Sequence, residues 1–260
     1  MTFSMAQVRS ARLTFTLAAA LVAAACGTKD APDPLQPTAG QGRIRFVNLV
    51  TDPARNPVNA ILENIPFGVN LAYTQSTPAT LPSPATANFS AILEGARTLV
   101  LKKTADTNVV VANLAITVAA GTDYTLFATG GTGGSAVTGF TVGDNNAPLT
   151  TGQVRIKVIN MSPAAGAVDV FVTAAGADLA TATPVAANLA VRTAFAGALF
   201  AAGTYQIRTV PAGTAAAARA AAVNTTLTGL AIGANGGRTI VIADAAAGGA
   251  PLRSFALTDQ

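Results

Sequence analysis

The chain has 260 residues, a formal charge of +4, no histidine and one cysteine, and only 11% of its residues are charged. That charge content is far below the usual quarter, and the small excess of basic residues is spread along the chain, which excludes the concentrated basic field of a nucleic-acid binder. Half the residues are hydrophobic, which excludes a disordered chain. The length suits one large domain or two of ordinary size.

Residues 1–25 read as an export signal. Arg9 and Arg12 stand without an acid in the first twelve positions, and Leu13 to Ala25 is apolar apart from Thr14 and Thr16. The run is too short for the roughly 20 residues that span a bilayer as a helix. It ends in Ala23-Ala24-Ala25-Cys26-Gly27, small residues at a cleavage point. This stretch resembles the bacterial lipobox, with Ala23 where leucine is usual. The resemblance implies that Cys26 is lipidated and becomes the first residue, its sulfur being the nucleophile that accepts a diacylglycerol. An ordinary signal peptide with an incidental cysteine is the plainer alternative. Removing Arg9 and Arg12 lowers the formal charge from +4 by two. Gly27 is not the aspartate that commonly retains such proteins at the inner membrane, so the expected address is the cell envelope, the outer membrane in preference to the inner. Residues 26–41 hold Pro32, Pro34, Pro37 and Gly40 without apolar periodicity. They read as a tether, semi-extended where prolines are dense.

Beyond the tether the sequence repeats. Arg43-Ile44-Arg45-Phe46-Val47-Asn48-Leu49 returns as Arg155-Ile156-Lys157-Val158-Ile159-Asn160-Met161. Pro57-Val58-Asn59-Ala60 returns as Ala167-Val168-Asp169-Val170, and Gly121 to Ala128 as Gly236 to Ala243. Each copy closes near Ala-Pro-Leu, at 147–149 and 250–252. A period near 110 residues predicts two domains, 42–149 and 150–260. Apolar residues alternate with polar ones at Ile44 and Phe46 and again at Val168, Val170 and Val172, the period of a half-buried strand. Short runs of this kind, separated by Gly, Pro and Asn, predict an all-β chain of two tandem antiparallel sandwiches. Ala212 to Val223 has the composition of a helix, but the repeat predicts strand toward its end, after a helical turn near 214–219.

The strand Val154 to Asn160, the step Ser162-Pro163-Ala164-Ala165, the run Val168-Asp169-Val170 and the later Ala202-Gly203-Thr204-Tyr205 together resemble the bacterial family called domain of unknown function 4397. The resemblance covers about residues 42–258 and is better in the second copy. In the first, Thr51-Asp52-Pro53 replaces the Ser-Pro step and Asn59 replaces the Asp. It implies an Ig-like or transthyretin-like sandwich in the envelope and brings no catalytic residue.

Candidate sites are few. Without histidine, Ser-His-Asp and Cys-His arrangements cannot be built, nor the usual His/Cys zinc sites. No cofactor or metal is expected. Asp144-Asn145-Asn146 offers oxygen ligands but no EF-hand spacing and reads as an Asx turn. Gly130 to Ser135 lacks the ending and the following helix of a phosphate loop. Arg43 and Arg45, with Arg155 and Lys157, place two cations on one face of the first strand of each copy. They could meet an acidic glycan or a lipid headgroup; the plainer account is a solvated face that discourages edge pairing. Asp169 reads as an acceptor of backbone hydrogen bonds, with a ligand role as the alternative. The favoured function is a non-catalytic, lipid-anchored envelope protein that presents tandem sandwiches to an envelope protein or glycan. The alternatives are a lipoprotein holding a glycan or small apolar ligand at the domain junction and, remotely, a hydrolase built on an acidic pair. Nothing in the sequence fixes the oligomeric state.

Overall fold

The computed structural model describes residues 40–78, 88–144 and 146–260. The export signal, Cys26 and nearly all of the tether lie outside the described residues. The described chain is all β. Its first half runs through β1 (Gln41–Val50), β2 (Val58–Leu62), β3 (Ile65–Leu71), β4 (Ser76–Thr77), β5 (Ser90–Leu93), β6 (Gly95–Lys103), β7 (Asp106–Val118), β8 (Asp123–Gly130) and β9 (Val137–Asp144). The second half runs through β10 (Gln153–Asn160), β11 (Val168–Thr173), β12 (Ala186–Leu189), β13 (Thr193–Ala201), β14 (Gly203–Pro211), β15 (Thr225–Ile232), β16 (Gly237–Ala243) and β17 (Arg253–Thr258).

Each half is a sandwich of two sheets with the same topology. In the first, β4-β1-β8-β9, with β5 also on β1, faces β3-β2-β6-β7; in the second, β13-β10-β16-β17 faces β12-β11-β14-β15. The long strand β13 does alone what β4 and β5 do together along β1. Pairing is antiparallel throughout, except that β1 lies parallel to β8 and β10 parallel to β16. A parallel pair needs a long crossover, and here the chain makes it by building the other sheet in between.

The cores follow from the strand period. Ile44, Phe46, Leu126 and Ala128 point between the sheets of the first half and meet Val58, Ala60, Leu99, Leu101, Leu114 and Ile116. Ile156, Val158, Ile240 and Ile242 do the same against Val168, Val170 and Ile207. The opposite face of the same strands is also buried. Val47, Leu49 and Phe127 form one cluster with Ile159, Met161, Val241, Ala243 and Leu257. The outer faces of β1/β8 and β10/β16 therefore pack on each other, and the molecule is a stack of four sheets. This overturns the expectation of half-buried first strands with a solvated face, because the other half of the chain covers that face. It also accounts for the unbroken run Thr239 to Ala243, a composition typical of strands buried on both sides.

The interface is close to two-fold symmetric. Strand registers make Arg45 equivalent to Lys157 and Thr125 to Thr239, and Phe140 equivalent to Phe255. Both members of each apolar pair, Val47 with Ile159 and Leu49 with Met161, sit in the shared cluster. Such self-complementarity is the property of a two-fold dimer interface, realised here within one chain.

The alanine-rich segment is a correction. Its helical turn falls at Ala216–Ala218, inside the expected range, but the following strand begins only at Thr225. Ile207 pairs with Leu227 where Leu99 pairs with Leu114, so the connection here is about five residues longer than in the first copy. It folds over the outer sheet: Ala222 and Val223 pack on Phe171, Leu179 and Val210. Arg219 lies 5.1 Å over the Phe171 ring and donates to Leu179 O and Ala182 O at 3.2 and 2.9 Å.

The four-sheet stack makes a direct prediction. Ile159→Ala, on the inter-half face, should cost about 2–5 kcal/mol, as much as Ile156→Ala on the sandwich-core face. Urea unfolding of the two variants measures this, and a near-neutral Ile159→Ala would mean that the face is not covered.

Candidate functional site

Three of the cations singled out from sequence, Arg43, Arg45 and Lys157, converge with Asp144 and with two acids the sequence did not single out, Asp123 and Asp259. Arg45 and Lys157 are buried, at 2% and 3% exposure. The Arg45 guanidinium donates to Thr125 Oγ1 at 2.8 Å, to Thr258 O at 2.9 Å and to Asp259 Oδ1 at 2.8 Å. Lys157 Nζ donates to Asn146 Oδ1 at 2.7 Å and lies 3.1 Å from both Asp144 Oδ2 and Asp259 Oδ2. Thr239 Oγ1 donates to the Asp259 carboxylate. Asn146 Nδ2 reaches Asp123 Oδ2 at 2.5 Å, and Arg43 grips Asp123 through two bonds of 2.7 Å. The Phe89 ring covers this end, 4.6 Å from the Arg45 guanidinium carbon and 5.6 Å from that of Arg43. In the second half Gly197 occupies the place of Phe89. A Cβ there would stand 2.9 Å from Lys157 Cγ and 3.2 Å from Arg155 Cγ, and φ is +116°, so the lysine stem leaves room for glycine alone.

Charges are exchanged between the halves. Arg45 of the first meets Asp259 of the second, and Lys157 of the second meets Asp144 of the first. Asp144 and Asp259 occupy equivalent positions just past Gly143 and Thr258, at the ends of the last strands. The strand registers give that equivalence and correct the repeat as read from sequence, which matched Ala147-Pro148-Leu149, after Asp144, with Ala250-Pro251-Leu252, before Asp259. Asp144-Asn145-Asn146 thus supplies an ion pair and a bridging amide, and Asn145 itself lies outside the described residues. Arg155 sits at the margin, its Nη1 3.4 Å from Ala147 O. Three cations and three carboxylates balance in the buried cluster.

Burial raises the Asp259 pKa, but Arg45 first, then Lys157 and the hydrogen bonds from Thr239 and Lys157, outweigh it and hold the carboxyl below its ordinary value. At Asp144 burial is the largest influence and the nearby Asp259 charge adds to it. Lys157 does not cancel them, and the pKa is raised. Asp144 and Asp259 are buried and bridged by Lys157. Among the described residues no three of His, Cys, Asp and Glu are grouped to hold a metal ion.

Asp169 accepts the Asn188 amide at 2.8 Å and the Gly213 amide at 3.2 Å, and its counterpart Asn59 accepts the Asn70 amide at 2.8 Å. Both fasten the entry of the second strand of their half. Gly130 to Ser135 is the β8–β9 connection, closed by a short turn at Thr132–Gly134 and a bond from the Gly131 amide to Ser135 Oγ.

The end remote from Gly40 is organised by buried amides. Asn48 Nδ2 donates to Leu71 O at 2.9 Å and Asn160 Nδ2 to Leu189 O at 3.0 Å, while their Oδ1 atoms accept the amides of Val50 and Ser162. The Ser162 hydroxyl donates to Asp244 Oδ1. Across the junction the Tyr73 hydroxyl donates to Asp244 O at 2.7 Å, and burial pushes the Tyr73 phenol well above its usual value. Two concavities flank this contact. One, of about 80 Å³, has Leu49, Tyr73, Met161 and Pro163 in its walls and Arg192 beside it. The other is an open groove of about 320 Å³ lined by Thr74, Thr225, Thr226, Arg253, Ser254 and Phe255.

Residues 53–171 match the family model described as a domain of unknown function (DUF4397). That stretch of the chain is similar to the DUF4397 family. It begins just past β1 and ends within β11, so it spans most of the first sandwich and the opening of the second. No curated protein matches the chain. Among solved structures, CBMbc (family CBM26) from Eubacterium rectale Amy13K, determined in complex with maltoheptaose, is 10% identical with a TM-score of 0.22, over 83% of this chain and 96% of that one.

The buried cluster fixes an acid dependence. Asp259, held below its unfolded pKa, contributes stability that is present above about pH 3.9 and lost as the pH falls through its lower folded value. Asp144 acts in the opposite sense: its raised pKa removes stability as the pH rises from about 3.9 through its folded value. Asp259→Asn should cost about 3–5 kcal/mol at neutral pH, because it leaves buried Arg45 uncompensated. It should also flatten the loss of stability below about pH 4. Urea midpoints of both proteins across the acid range check the two effects; an unchanged acid slope would assign it to other carboxylates.

Proposed function

We propose that the protein is a non-catalytic lipoprotein of the bacterial envelope, in the outer membrane in preference to the inner, which presents its two sandwiches as one rigid interaction module. The observation that carries this reading is the use made of the charged residues. Arg45, Lys157, Asp144 and Asp259 are consumed in joining the halves, Arg43 and Asp123 in pairing with each other within the first, and Asp169 in fastening strands. The described chain enters at Gly40, beside the charge cluster. A ligand enclosed between the sandwiches is disfavoured, because the junction is filled by the shared apolar cluster; what the far end offers is surface concavities.

Anchoring is tested by fractionating cells that express Cys26→Ser. The variant should move from the membrane to the soluble fraction, since its thiol can no longer take the acyl chains that hold a lipoprotein in the bilayer. A variant that stays in the membrane fraction like the wild type would end the lipoprotein reading.

A further inference from the structure

We propose that the end of the molecule remote from Gly40 binds an acidic polysaccharide, in the grooves that flank Tyr73 and Thr74. The proposal names the ligand class for the module described above, and it stands on this surface whether or not Cys26 carries lipid.

The first observation is electrostatic. Arg253 is exposed, and among the described residues its side chain makes no ion pair or hydrogen bond. Arg192, also exposed, spends one nitrogen on Thr138 Oγ1 at 3.0 Å and meets no carboxylate. The neighbouring acids are committed elsewhere. Asp52 pairs with Arg55, and the Asp244 carboxylate is turned inward to the Ser162 hydroxyl and the amides of Ala164 and Gly249. This contrasts with the opposite end, where each cation of the buried cluster has its acid.

The second observation is the chemistry of the lining. Thr74, Thr225, Thr226 and Ser254 line the groove with Arg253 and Phe255; the Thr225 hydroxyl donates to Ser254 Oγ and that of Thr74 to Tyr73 O, and Phe255 leans on the shared apolar cluster. Hydroxyls both donate and accept, which matches the hydroxyl-rich edge of a sugar, and a guanidinium grips a carboxylate through two parallel bonds. The groove of about 320 Å³ lies within the roughly 300–1,000 Å³ typical of ligand sites. The smaller cavity, about 80 Å³, takes a single substituent beside Arg192. Thr74 lines one concavity and Tyr73 the other, so adjoining residues of one chain would meet both arginines. An acidic peptide would satisfy the arginines but not the hydroxyls, and neither concavity offers the deep apolar pocket that anchors a peptide side chain.

The test is native electrophoresis of the full chain, solubilised in nonionic detergent, through gels containing polygalacturonate, neutral dextran or polyglutamate. Polygalacturonate should retard it, and dextran and polyglutamate should not. Arg253→Gln and Arg192→Gln should each weaken retention about tenfold, the worth of a hydrogen bond to a charged group. Both substitutions lie on the surface and should leave thermal unfolding unchanged. Absence of retardation by polygalacturonate overturns the proposal, as does equal retardation by polyglutamate or retention that survives the double variant. Cys26→Ser protein should bind as the wild type does, so a failure of anchoring is read separately from a failure of binding.

Discussion

Everything in this molecule depends on the covering of a second sheet face. The strands β1, β8, β10 and β16 bury one side inside their own sandwich and the other against the opposite half. Apolar residues supply the attraction, at about 1.5–3 kcal/mol for each large side chain fully buried, and that force has no direction. The direction comes from Arg45 and Lys157. Sliding one half along the other would leave buried Arg45 without an acid and take Asp144 from Lys157, which keeps Asp259 of its own half, and a broken buried pair costs about 3–5 kcal/mol. The apolar cluster holds the halves together, and the crossed ion pairs set their register.

The two ends of the stack then take different roles. At the end where the chain enters, charge is balanced and buried. At the far end, loops of both halves meet through Tyr73 and Asp244 and leave arginines facing water. The longer connection over Phe171 adds a further asymmetry, since it covers the outer sheet of the second half. On the outer sheet of the first half Val69 and Val110 stay exposed. Equivalent folds thus carry unequal surfaces.

Much of the fold was legible in the sequence. The repeat of Arg43 to Leu49 at Arg155 to Met161 announced two similar halves, and the period of two at Ile44 and Phe46 announced strands. The role of Arg43, Arg45 and Lys157 was not legible, because an alternating charge on a strand reads as solvent-facing unless the covering surface is known. Val47 and Leu49, apolar on the same side as Arg45, were the local sign that this face is covered too. The partners Asp144 and Asp259 lie far from the cations in sequence and close only after both halves have folded. Ala212 to Val223 misled for a different reason: alanine carries little packing information, so a longer connection there could not be told from a strand. Arg192 and Arg253 have no motif around them, and only the fold sets them at one end.

The crossed pairing also imposes an order in time. Arg45 and Asp259 are 214 residues apart, and domains emerge and fold from the N-terminal side first during synthesis. The first sandwich therefore matures with Val47, Leu49 and Phe127 uncovered and with Arg45 waiting for its carboxylate. Until the second sandwich docks, that apolar face is the surface on which a chaperone, or another newly made chain, can act.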